Sequence, residues 1–293
     1  MARKLDILLT ALAPTIWGSS YLITTEMLPA EYPLTVAMLR ALPAGLLLLL
    51  LVRQLPKGIW WLKVFILGAL NFSLFWWMLF EAAYRLPGGV AATVGAIQPL
   101  FVIFLARAVL GTSIRFFSVL MAVTGMAGVA LLTLSHSVTL DPIGIAVGLA
   151  GAISMACGTV LSRHWQPKAS LLTFTAWQLT AGGILLFPAA LFFEPPLPAL
   201  NSTNVMGFAY LGLLGGAITY ILWFRGIAKL EPAVVSSLGF LSPTAAVILG
   251  WIILDQNLSP WQILSIIIVL ISVWLSQKKF KTSLQAPIAF SAK

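Results

Sequence analysis

The feature that most constrains this chain is a succession of long, uninterrupted apolar runs that leaves little else between residues 6 and 277. A bilayer core about 30 Å thick is crossed by about 20 apolar residues in a helix. Runs of that kind fall at 6–28, 34–52, 64–84, 89–109, 115–134, 142–162, 172–193, 205–228, 232–253 and 260–277. Separators with turn chemistry divide them, among them Pro29-Ala30-Glu31, Leu86-Pro87-Gly88-Gly89 and Glu194-Pro195-Pro196. A transmembrane β-barrel would show short alternating segments, so continuous runs read as helices. Only 9% of the residues are charged, against roughly 25% in a soluble domain, so the apolar surplus must face lipid. The first run follows Arg3 and Lys4 as a signal peptide would, but it is too long and lacks a small-residue cleavage site, so it reads as a span.

Charge placement orients the spans by the positive-inside rule. With the N-terminus in the cytoplasm and alternate loops assigned, fifteen of the seventeen basic residues fall on the inner side. Arg85 is outside and Arg40 lies within a span, while Glu26, Glu31, Asp141, Glu194 and Asp255 lean outward. One missed or spurious span would scramble this segregation. It also accounts for the net charge of +9 without a nucleic-acid partner.

An internal repeat underlies the pattern. A shift of 144 residues lays Phe80, Leu86, Val90, Gly95 and Pro99 over Phe224, Leu230, Val234, Gly239 and Pro243. A shift of 138 lays Leu34, Thr35 and Gly45 over Leu172, Thr173 and Gly183. Each half holds five spans, an odd number, so the second half enters the membrane from the opposite face, an architecture common among secondary transporters. The expected fold is an all-α membrane protein of ten transmembrane helices in two inverted five-helix repeats, residues 1–134 and 142–277. Residues 278–293, outside the apolar runs, are expected as a cytoplasmic tail, with both termini cytoplasmic.

Within this frame a few residues stand out. Gly95-x-x-x-Pro99 and Gly239-x-x-x-Pro243 sit near the middle of spans four and nine. Proline removes a backbone donor and crowds the carbonyl four residues back, here a glycine in both halves. The spacing predicts a bent helix with an under-satisfied carbonyl at Gly95 and Gly239. It serves either as a hinge beside a substrate cavity, with Gln98 and Ser242 as adjacent polar contacts, or as a plain structural kink. Span three carries Phe72, Trp76 and Phe80 on one stripe with Trp77 beside it, and span eight carries Gly216, Tyr220 and Phe224. Trp76 and Tyr220 are deep enough to line a pathway. Trp17 sits among Gly18, Ser19 and Ser20, which permit close approach by a helix or a ligand. Arg40 and Glu81 lie at comparable depth in spans two and three, where an ion pair is one outcome and snorkelling to the headgroups the other.

The chain has no Gly-x-x-x-x-Gly-Lys-Ser/Thr phosphate loop and no His-Glu-x-x-His pair, and His136 and His164 are isolated. These absences exclude a self-contained ATP-driven pump and argue against an enzyme. No cofactor and no metal site are expected. The single cysteine, Cys157, allows no internal disulfide.

Ten spans in two halves, Trp17-Gly18-Ser19 in the first span and matched Gly-x-x-x-Pro elements in spans four and nine resemble the drug/metabolite transporter superfamily, EamA-type exporters in particular. Among these the chain looks like the bacterial aromatic amino acid exporters. The resemblance covers residues 6 to 277. It implies a carrier of the bacterial inner membrane that exports amino acids or related metabolites by alternating access, uniport or proton-linked; the chain itself is expected to be a monomer. It further implies a central cavity built from spans one, three, four, six, eight and nine. Carried onto this sequence, that cavity takes Trp17, Trp76, Trp77, Phe80, Gln98, Tyr220 and Ser242. Such a lining suits aromatic groups by stacking and cations by cation–π attraction. A multidrug or lipophilic-cation exporter is the alternative, and a membrane enzyme or scaffold fits least.

Overall fold

A computed structural model describes residues 2–29, 31–86, 94–133, 141–255 and 259–277. Among these residues the only regular elements are helices. Numbered along the chain they are α1 (Ala2–Met27), α2 (Pro33–Val52), α3 (Trp60–Gly68), α4 (Leu74–Arg85), α5 (Gln98–Leu110), α6 (Phe116–Thr133) and α7 (Pro142–His164). They continue with α8 (Leu171–Phe193), α9 (Ser202–Gly212), α10 (Thr219–Lys229), α11 (Pro232–Leu238), α12 (Leu241–Ile253) and α13 (Pro260–Ser276). Seven helical stretches are long and apolar enough to cross a membrane, and three shorter apolar helices, α5, most of α6, and α13, accompany them. A helix satisfies its backbone internally, so it suits a chain that must cross hydrocarbon. Phe192 and Phe193 are 79% and 81% exposed, on a surface that only lipid would cover.

Helix starts follow local chemistry. Pro33, Pro142, Pro232 and Pro260 open their helices, where the missing N–H leaves no bond unmade. Asp141 and Ser170 cap α7 and α8, and Asn201 with Asn204 and Ser259 with Gln262 form capping boxes at α9 and α13.

Spans three and eight, expected as continuous α-helices, are interrupted. A π-turn at Ala69–Ser73 joins α3 to α4, and another at Leu213–Ile218 joins α9 to α10. The 144-residue shift that aligns Gly95 with Gly239 also carries Ala69 onto Leu213. Two turns of so rare a kind at equivalent positions form one feature, used twice.

Span nine is broken rather than bent. Between α11 and α12 the N–H groups of Gly239, Phe240 and Ser242 donate to the carbonyls three residues back, at 3.1, 3.2 and 3.1 Å. The carbonyl of Gly239, expected to lack a donor because of Pro243, is therefore taken by Ser242. In the other half Ile97 and Leu100 make the same short-range bonds, to Val94 and Ile97, at 3.3 and 3.0 Å.

The tightest seam joins α2 to α8. A Cβ on Gly183 would sit 2.6 Å from Leu42 Cα, and one on Gly45 would run into the Thr180 backbone. The 138-residue shift exchanges Gly45 with Gly183 and Leu42 with Thr180, so the contact is reciprocal. Small residues let the backbones touch where lipid supplies no hydrophobic drive for association. Beside this seam a wholly buried polar group links three helical stretches: Asn71 Nδ2 donates to Gln178 Oε1 (2.9 Å) and Ser162 Oγ (3.1 Å).

Candidate substrate cavity

A cavity of about 300 Å³ lies where α1, α4, α7, α10 and the breaks before α5 and α12 converge. Its floor is aromatic. The Trp17 ring lies 4.9 Å from Tyr220 and 5.1 Å from Trp223 between centroids. Phe72 stands edge-on to Tyr220 at 4.6 Å and to Trp76 at 5.3 Å. These rings are brought together by the π-turns: Phe72 lies within the first, and Tyr220 follows the second by two residues. Thr219, buried between them, accepts a bond from Trp17 Nε1 at 2.9 Å and so sets the tilt of that indole.

Trp17, Trp76, Gln98, Tyr220 and Ser242 all line this cavity, as do Gly95, Pro99, Gly239 and Pro243. A Cβ on Gly95 would meet nothing within 4 Å, because the residue borders open space. Gly18 is packed instead: its Cβ would lie 2.6 Å from the Ser242 carbonyl oxygen, which fixes α1 against α12. Two expectations need correction. Trp77, one residue and about 100° round the helix from Trp76, is 49% exposed and points away from the cavity. The ion pair between Arg40 and Glu81 is replaced by two separate engagements. Glu81 receives Arg85 Nε at 2.6 Å, while Arg40 reaches the Gly215 carbonyl and lies 5.1 Å from the centre of the Trp76 ring. The Phe80 side chain lies outside the described residues.

Several lining residues escaped the sequence reading. Trp223 is 2% exposed yet faces the cavity, and Ser236 and Phe240 join it, while Ser20, expected only to permit close approach, lines it as well. A stripe counted at i+3 from Tyr220, rather than i+4 alone, would have found Trp223.

The lining extends toward the end of the bundle where α1 finishes and α2 begins, at Thr24, Val36 and Ala82. At the opposite end the helices are bridged by charge. Asp6 Oδ1 accepts from Arg225 Nη2 at 2.6 Å and Nε at 3.1 Å, with Lys229 Nζ at 3.7 Å. Arg163 Nη1 donates to the carbonyls of Ile227, at 2.7 Å, and Ala228. Arg115 pairs with Glu231 at 3.1 Å.

Broken helices around a central, partly polar cavity in an apolar bundle define a membrane carrier of small molecules. The model of the EamA-like transporter family matches residues 4–134 and 142–277, and the chain belongs to that family. It is 40% identical over 279 residues to the protein PecM of Dickeya dadantii (strain 3937), covering 92% of this chain and 94% of that one. It is 29% identical over 266 residues to the inner membrane transporter YedA of Escherichia coli (strain K12), covering 89% and 86% of the two chains. A crystal structure 19% identical superposes with a TM-score of 0.79 over 92% of this chain and 96% of that chain, which shows a shared fold. The protein is a multi-pass membrane transporter of that family and not an enzyme.

Proposed function

We propose that this protein exports an aromatic metabolite, an amino acid or a related compound, through the central cavity by alternating access. The observation that carries the reading is the ring of Trp17, Trp76, Tyr220 and Trp223 around a space of about 300 Å³, the lower end of the size of small-molecule sites. Stacking on such rings rewards an aromatic cargo.

In this reading ten spans form two inverted halves with both termini cytoplasmic, and the protein works as a monomer. The structure then represents the state closed toward the cytoplasm by Asp6 and Arg225. The breaks at Gly95–Pro99 and Gly239–Pro243 are the hinges on which that closure opens. Trp17, Trp76, Gln98, Tyr220 and Ser242 meet the cargo.

Purified protein in liposomes preloaded with labelled aromatic and aliphatic compounds tests this. Counterflow of aromatic members, absent from empty liposomes, is the expected result. Movement of aliphatic members alone, or of none, would defeat it. Repeating the assay with and without a pH gradient separates uniport from proton antiport.

A further inference from the structure

The charge of the cavity bears on its cargo, an inference that rests on the transport reading above. The chain has eight Asp and Glu residues in all. Every one lies within the described residues, and none lines the cavity. Several are committed elsewhere: Asp6 to Arg225, Glu81 to Arg85, Glu231 to Arg115, and Glu194 to the N–H groups of Leu34 and Thr35. Arg40 is the one formally charged side chain among the described lining residues. It is held by the Gly215 carbonyl, which orients the guanidinium but leaves its charge in place.

A second observation points the same way. Three buried polar atoms on lining residues have no hydrogen-bond partner: Ser20 Oγ, Gln98 Nε2 and Trp223 Nε1. The amide and indole nitrogens only donate, and the hydroxyl can. The lining residues therefore carry a cation and donors without partners, with no anion among them. An ammonium entering such a site loses its water without gaining a carboxylate. An anionic group gains charge-assisted hydrogen bonds instead.

We propose that the preferred cargo is a planar aromatic anion, a carboxylate with no compensating ammonium. Its negative group lies toward Arg40, its ring against Trp76 and Tyr220, and any further acceptor atom toward Gln98 or Trp223. Amines are disfavoured, and a zwitterionic amino acid is handled less well than the simple acid of the same skeleton.

The test is a charge series on one skeleton: 3-phenylpropionate, 3-phenylpropanamide, phenylalanine and phenethylamine, with the matching indole series. Binding to the detergent-solubilised protein and counterflow in liposomes are both measured at neutral pH. The acid should bind and move about tenfold to a hundredfold better than the other three, and Arg40→Gln should bring it down to the level of the amide. An amino acid or amine that performs as well as the acid overturns the charge assignment and leaves the transport reading standing. The same preference undiminished in Arg40→Gln overturns the role given to Arg40. Binding of the acid without movement supports the charge assignment and defeats the transport reading. No binding and no movement of any compound overturns both. If Arg40→Gln does not fold, Arg40→Lys, which keeps the charge, should retain the preference, and the wild-type series decides the proposal without any variant.

Discussion

Arg40 donates from Nε and Nη2 to the carbonyl oxygen of Gly215, at 3.2 and 2.8 Å. The same oxygen accepts from Thr219 Oγ1 at 2.8 Å and Trp17 Nε1 at 3.2 Å. One carbonyl of the second π-turn thus gathers α1, α2 and α10. The wide turn displaces its carbonyls from the regular ladder, and the absence of a side chain at Gly216 lets α2 approach. A Cβ on Gly216 would lie 2.7 Å from the Arg40 carbonyl oxygen. An arginine within a membrane helix is costly unless protein receives it, and this turn receives it beside the cavity.

Trp76 and Trp77 are neighbours with opposite surroundings, 4% and 49% exposed. Trp76→Leu should weaken aromatic cargo by roughly twofold to tenfold, the value of one ring contact. Trp77→Leu should leave transport unchanged. Equal effects in a liposome assay would contradict the placement of the cavity.

Glycines of the two halves should respond differently to alanine. Gly183→Ala forces α2 and α8 apart and should cost about 1–3 kcal/mol, read from thermal unfolding in detergent. Gly95→Ala meets no atom within 4 Å, so its unfolding should stay near wild type while the narrower cavity alters transport.

Asn71 and Gln178 are 1% and 0% exposed. Asn71→Leu leaves Gln178 Oε1 with fewer donors and should cost about 1–3 kcal/mol. The double variant Asn71→Leu with Gln178→Leu should recover part of that loss, because both polar partners are then gone. A strictly additive loss would show that the bond between them contributes nothing.

Asp6 ties α1 to α10 at the end proposed to be closed. Asp6→Asn removes the charge and should favour the state open there. A cysteine replacing Ser236, with Cys157→Ala to clear the background, should then react faster with an impermeant reagent added from the N-terminal side. Unaltered labelling would exclude Asp6 as part of a gate.

Pro243→Ala restores an N–H four residues beyond the Gly239 carbonyl, which Ser242 now occupies, and should let α11 and α12 fuse, with Pro99→Ala acting likewise at the other break. Both should slow transport while the protein elutes as a folded species. Undiminished rates would assign the prolines to structure alone.

Much of the architecture was legible from residues alone. Apolar run length and charge are sums along the chain, so the all-helical membrane character, the family and the matched Gly-x-x-x-Pro elements needed no neighbours to be seen. The lining of the candidate cavity was legible only in part. Gly95, Gln98, Pro99, Gly239, Ser242 and Pro243 came from the repeat, and Trp17, Trp76 and Tyr220 from depth. Trp77 was misplaced and Trp223 missed, because direction around a helix depends on what packs against it.

The sequence by itself determined that this chain must live in a bilayer as helices and that its two halves echo each other. Only the tertiary structure decided where the helices widen into π-turns, which carbonyl Arg40 meets, and that the cavity holds a cation with no carboxylate. The reason is physical. Hydropathy belongs to each residue and survives reading one position at a time, whereas the polarity of a cavity is set by which side chains from distant segments turn inward together.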